Sequence, residues 1–152
     1  MELNIEQATE DDAGIILSLQ KLAYQSEAKR YNDYTLPPLL QTFEEILADF
    51  RKQVFLKAVI SGEIIGSVRA YMEGETCYIG RLIVNPEFQK QGIAIKLMRE
   101  IERRFGNAKR YELFTGHKSE EALSLYKKLG YSLFKQKELK TYTIVYLEKV
   151  CS

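Results

Sequence analysis

The segment that most constrains this chain runs Leu82-Ile83-Val84-Asn85-Pro86-Glu87-Phe88-Gln89-Lys90-Gln91-Gly92-Ile93-Ala94-Ile95-Lys96-Leu97-Met98. An apolar strand ends in Asn-Pro, and a short polar loop then opens a helix with small residues at its start. A helix start leaves several backbone N–H groups without internal partners and carries the positive end of the helix dipole. It therefore suits an anion such as a pyrophosphate. Gly92 and Ala94 have little or no side chain, so a bulky anion can approach their amides. The expected cradle is the amides of Gln91, Gly92, Ile93, Ala94 and Ile95, with Gln89 and Lys90 at its rim. Lys90 and Lys96 would reach outlying phosphates as flexible point charges.

The rest of the chain supplies the elements around this junction. Leu3, Ile5 and Gln7 alternate with polar residues and predict a strand, and Thr9-Glu10-Asp11-Asp12 is a capping signal for a helix. Ile15, Ile16, Leu19, Leu22 and Ala23 continue at helical spacing until the segment Tyr31–Pro38 breaks the helix. Thr42-Phe43-Glu44-Glu45 caps a second helix with Phe43, Ile46, Leu47 and Phe50 on one face. Val54–Ile60 and Ile64–Met72 form a hairpin around Ser61-Gly62-Glu63, and Thr76–Val84 is a third long strand. The next helix spans about Gln91–Phe105. A short strand, Tyr111–Thr115, leads to a helix over Ser119–Leu129 that stops at Gly130. Tyr131–Phe134 and Thr141–Leu147 complete the strands. This order fits neither a doubly wound α/β fold nor a TIM barrel.

Length and composition set the outer limits. The chain of 152 residues fits one domain, residues 1–152, large enough for a real core. A net charge of only +1, with both signs interspersed, gives no field to argue for nucleic acid. No apolar run approaches the ~18 residues of a membrane span, and Met1–Glu6 lacks the features of a secretory signal. Cys77 and Cys151 have no metal-ligand spacing and make no disulfide framework, so the expected setting is a reducing cytoplasm without a bound metal.

Two motifs carry a family resemblance. Gln89-x-x-Gly92-x-Ala94, after a strand ending Val-x-Pro, resembles the acyl-CoA-binding motif of the GCN5-related N-acetyltransferases (GNAT). Downstream, Ala122-Leu123-Ser124-Leu125-Tyr126-Lys127-Lys128-Leu129-Gly130-Tyr131 is similar to the same family's later motif. Their order and spacing make the combination far more specific than either alone. The resemblance implies an α/β (α+β) acyl-CoA N-acyltransferase fold, a mixed and mostly antiparallel sheet of about seven strands with helices on both faces. It also implies that strands Thr76–Val84 and Tyr111–Thr115 splay apart to admit the pantetheine of acetyl-CoA. Gly80, inside the first of these, is consistent with a bulge or close backbone approach.

The same resemblance implies site residues. The backbone of Leu82, Ile83 and Val84 would bond the acyl and pantetheine amides in the manner of an added strand. Tyr126 occupies the position of a tyrosine that faces the thioester sulfur. A phenol of pKa near ~10 is protonated at neutral pH and can donate to a departing thiolate. The family often has Asn at the position of Ser119, whose shorter side chain can still hydrogen-bond and cap the helix. His117 is a candidate base by its intrinsic pKa, with Glu27, Glu73 and Glu75 as further candidates. Glu27, Tyr31 and neighbouring rings would form the acceptor site for an amine. The expected activity is acetyl transfer from acetyl-CoA to a primary amine of a small molecule or protein, by direct attack in a ternary complex. A non-catalytic acyl-CoA sensor is the alternative; it would dispense with Tyr126. Strand Thr141–Leu147 is an expected exposed edge that could pair across a homodimer.

Overall fold

The structure is a computed structural model and describes residues 2–151. Strand β1 (Leu3–Gln7) passes through a 3-10 turn at Glu10–Asp12 into helix α1 (Ala13–Ala23). The Asp12 carboxylate accepts from the Thr9 amide at 2.9 Å, so the capping residues read from the sequence close this start. The helix expected to continue to Tyr31 is instead two, broken at Tyr24, with α2 covering Gln25–Tyr31. Helix α2 is closed by Asn32 in a left-handed conformation rather than by Pro37 and Pro38, which instead open a short helix, α3 (Pro37–Leu40). A proline in a first turn lacks only an N–H that would have had no partner. Helix α4 (Phe43–Lys52) has a full capping box: Thr42 N–H donates to Glu45 Oε1 at 2.8 Å, and Glu45 N–H to Thr42 Oγ1 at 3.2 Å.

Strands β2 (Val54–Ile60) and β3 (Glu63–Glu73) join through Ser61–Gly62. Both loop residues have positive φ, 50° and 80°, the turn geometry that matches strand twist. Then come β4 (Thr76–Val84), a 3-10 turn at Pro86–Phe88, α5 (Ile93–Arg104), β5 (Arg110–Gly116) and α6 (Glu120–Lys128). The last two strands are longer and later than expected: β6 is Ser132–Glu138 and β7 is Thr143–Val150. Lys135–Glu138, expected in a loop, belong to β6.

The seven strands form one sheet in the order β1-β2-β3-β4-β5-β7-β6, antiparallel throughout except between β4 and β5. This order corrects the edge expected at Thr141–Leu147. β7 lies inside the sheet, bonded to β5 on one side and β6 on the other. The edge strand at this end of the sheet is β6, exposed along its whole length and carrying Lys135, Lys137 and Glu138, charges that discourage strand addition; β1 is the edge at the other end.

Helices cover both faces. Phe55 of β2 points to one face with Ile16 of α1 and Ile46 of α4. Its neighbours Leu56 and Ala58 point to the other, with Leu97, Met98 and Ile101 of α5 and Tyr126 of α6. Strand β3 is buried on both faces between them. A polar cluster lies under α1 and α4. The Arg69 guanidinium donates to Asp49 Oδ2 at 2.8 Å and to Gln20 Oε1 at 2.7 Å, while Gln20 Nε2 donates to Pro38 O and to Gln41 Oε1. Burial, and then the nearby Arg81, pull the Arg69 pKa down to about 10. Asp49→Ala would leave that buried cation without its counterion. We expect a loss of about 3 kcal/mol, read as a lower urea midpoint, since Asp49 is itself partly exposed.

Candidate active site

Strands β4 and β5 pair only through Thr76–Tyr78 against Arg110–Glu112. Beyond Tyr78 they part, because β5 continues along β7 while β4 stays with β3 as far as Val84. The opening is a cleft of about 1470 Å³ reaching from the α5 start to α2 and α3. The backbone of Leu82, Ile83 and Val84 lines it on the edge that β5 has left, with no neighbouring strand to take its N–H and C=O groups.

Just before these residues the pairing of β3 with β4 slips between Ser67 and Arg69, which face Ile83 and Gly80. The bulge expected at Gly80 is therefore present, but its left-handed residue is Arg81, with φ of 51°. A non-glycine residue there is held by its surroundings. Arg81 lines the cleft, and its guanidinium reaches Gln41.

At the other end, Lys90 and Gly92 both have positive φ, 64° and 78°. The helix begins at Ile93, later than the Gln91 start read from the sequence, because Gly92 in a left-handed conformation is its N-cap. Gln91 lies before the helix and does not line the cleft, whereas Gln89, Lys90, Gly92, Ile93, Ala94 and Ile95 do. The first intrahelical bond runs from Lys96 N–H to Gly92 O, and no side chain caps the amides that precede it. A Cβ built on Gly92 meets nothing within 4 Å, so a side chain there would project into open space above those amides. Helices α4 and α6 carry Glu44, Glu45, Glu120 and Glu121 in their first turns; α5 has no acid there. The residues present fit an anionic ligand such as a pyrophosphate.

Tyr126 stands on the wall between these ends. It is 7% exposed. Burial first, then Tyr24 and Glu27, raise its pKa well above 10.0, so the phenol keeps its proton. Among the described residues its hydroxyl has no hydrogen-bond partner, and it is not sealed from the cleft.

Tyr31, Ser119 and Glu27 form one chain of hydrogen bonds. The Tyr31 hydroxyl accepts from Lys118 N–H at 2.9 Å and donates to Ser119 Oγ at 2.8 Å; Ser119 Oγ donates in turn to Glu27 Oε2 at 2.8 Å. Arg30 holds the other carboxylate oxygen. Ser119 occupies the N-cap of α6, but its side chain does not bond the helix amides, contrary to the expected cap. Gly116 is needed here, since a Cβ on it would overlap the Tyr31 phenol.

His117 falls outside the cleft. It is exposed, and its Nδ1 lies 3.1 Å from Thr143 N and 3.2 Å from Thr143 O, a contact that fastens the end of β5 to β7. Glu73 and Glu75 likewise do not line the cleft. The cleft residues that sequence reasoning missed are Arg69 and Arg81. Each is a lone arginine inside an otherwise apolar strand, and that was the signal.

The model of the acetyltransferase (GNAT) family matches residues 16–131, a span that contains both the Gly92 loop and the Tyr126 helix. The chain belongs to this family. Its fold is also that of solved family members. The PaiA N-acetyltransferase of Thermoplasma acidophilum, solved in complex with coenzyme A, superposes with a TM-score of 0.83 at 16% identity over 99% of each chain. The ribosomal-protein-S18-alanine N-acetyltransferase of Escherichia coli gives 0.84 at 11% identity, over 99% of this chain and 95% of that one. A GNAT acetyltransferase of Streptococcus pneumoniae gives 0.80 at 19% identity, over 99% and 100%. At these identities the likeness is one of fold. For this GNAT chain, acetyl-CoA is the donor, and the acceptor remains a matter for the site itself.

Proposed function

We propose that this protein transfers the acetyl group of acetyl-CoA to a primary amine of a small molecule or protein, as a single domain in the cytoplasm, by direct attack in a ternary complex. The observation that carries the reading is the Tyr126 hydroxyl: without a hydrogen-bond partner among the described residues, open to the cleft between the parted strands, and held in its protonated form by burial. A module that only sensed acyl-CoA would need the Gly92 loop but no proton donor beside it.

The chain's own groups divide the work. The amides of Ile93, Ala94 and Ile95 hold pyrophosphate, and the free edge of Leu82–Val84 lays the pantetheine and acyl group along β4. As the thioester C–S bond breaks, Tyr126 hydrogen-bonds the departing thiolate, whose own pKa is about 8.5, and passes it a proton that is replaced by the one the new amide nitrogen loses. The Glu27 carboxylate, positioned by Ser119 and Arg30, attracts the acceptor's ammonium and receives its proton directly or through water. An acyl-enzyme on cysteine is disfavoured: burial, then Glu102, push the Cys77 thiol up to about 12, far from a reactive thiolate.

The deciding experiment mixes protein, acetyl-CoA and a panel of primary amines and measures release of free CoA thiol. We expect at least one amine to raise thiol release about 10²-fold or more over the amine-free rate, the range typical of a positioned acid or base. Tight acetyl-CoA binding with no amine-dependent release from any member of a broad panel would favour the sensor.

A further inference from the structure

Two arginines, Arg69 and Arg81, line the cleft together with the Asp49 carboxylate. Arg69 is neutralised by Asp49, whose Oδ2 also accepts from Gln41 Nε2 at 2.7 Å. Arg81 has no such partner. Its Nη1 donates to Gln41 Oε1 at 3.1 Å, and among the described residues no carboxylate lies within ion-pairing distance of it. Most of its five N–H donors are therefore uncommitted. A cation beside a second cation, in a partly buried cleft, is repelled by its neighbour and gains from an incoming anion. The left-handed residue of the bulge is Arg81 itself rather than a glycine. Nothing in sheet pairing requires arginine at that position.

Tyr24, Glu27 and Tyr126 line the same cleft as Arg81. The Glu27 carboxylate is ion-paired with Arg30, whereas among the described residues the Arg81 guanidinium has only the Gln41 amide oxygen. One cleft thus offers a carboxylate, the proton donor Tyr126 and a guanidinium without a counterion.

We infer that the acceptor is a small zwitterion, an amine that also carries an oxyanion, and that Arg81 holds the oxyanion while Glu27 and Tyr126 face the amine. The inference rests on the acetyl-transfer reading above and narrows its substrate class. The oxyanion is a carboxylate or a phosphonate, and both present the planar or tripodal oxygens that a guanidinium fork grips in pairs.

The test uses matched acceptors: lysine against cadaverine, tyrosine against tyramine, and 4-aminobutyrate against both 3-aminopropylphosphonate and butylamine. Steady-state thiol release is measured for each, alongside calorimetry of the same compounds with the protein saturated by CoA. We expect an oxyanion-bearing member to exceed its oxyanion-free partner in kcat/KM by roughly 10–100-fold, the range of a charge-assisted contact. The 4-aminobutyrate and 3-aminopropylphosphonate arms distinguish carboxylate from phosphonate. Arg81→Gln is expected to remove that advantage through KM, and Arg81→Lys to restore part of it. Neither change alters the backbone demand at φ 51°, and CoA binding by calorimetry verifies the fold of each variant. Equal use of both members of every pair, or an equal fall for both in Arg81→Gln, overturns the inference while leaving acetyl transfer standing. If no amine is turned over, the proposed activity fails on its own. Calorimetry then decides the oxyanion site: binding lost in Arg81→Gln sustains it, and absence of binding ends it.

Discussion

Gly92→Glu is expected to abolish acetyl-CoA binding while the protein stays folded. The Cβ has open space around it, so the cost to the fold is the left-handed conformation alone, about 1–2 kcal/mol for a residue with a side chain. The cost to the ligand is larger. A carboxylate about 4 Å from one pyrophosphate charge repels it by about 4 kcal/mol at the effective dielectric of a protein surface, equivalent to roughly 10³-fold in affinity. Its bulk also displaces the ligand from the amides of Ile93, Ala94 and Ile95. Gly92→Asn separates the two costs, because asparagine tolerates the left-handed region and brings no charge. Calorimetry should show Gly92→Asn binding within about tenfold of the parent and Gly92→Glu not binding. Unchanged affinity in the glutamate variant would remove the loop from the site.

Tyr126→Phe is expected to lower kcat by about 10²–10⁴-fold and to leave acetyl-CoA affinity nearly intact. The ring is buried beside Tyr131 and packs equally well without its oxygen. The hydroxyl has no partner to strand, so the substitution leaves no unsatisfied group behind. The pH profile supplies a second reading. The Tyr126 pKa lies well above 10.0, so its ionisation cannot depress kcat between pH 7 and 10. A descending limb with a midpoint below 10 that disappeared in Tyr126→Phe would contradict the raised pKa. Wild-type turnover in the variant would reduce Tyr126 to packing and assign the thiolate's proton to water.

Legibility followed the range of the forces involved. The capping box at Thr42–Glu45, the two-residue turn at Ser61–Gly62 and the junction from Val84 to Ile93 could be read because their causes lie within a few residues. The misplaced features depend on distant partners. The helix breaks at Tyr24, which lines the cleft along with Arg81 and Glu27. β7 is interior because β6 returns to cover its outer edge, a choice that a strand's own alternation does not record. His117 had the right intrinsic chemistry for a base, and its hydrogen bond with Thr143 took it elsewhere.

The candidate site divides in the same way. Sequence by itself determined the parts made from backbone: a strand, a glycine with open space around it, and a helix start, all contiguous in the chain. It also placed Tyr126 on a helix that lines the cleft, since the spacing to Gly130 is local. Only the tertiary structure decided which side chains meet there. Ser119 reaches Glu27 across 92 positions, Tyr31 reaches Lys118 across 87, and Arg81 reaches Gln41 across 40. Such contacts are selected by how α2, α4 and the parted strands pack together. Apolar periodicity specifies which face of each element is buried, but not which polar residue on another element will be waiting there.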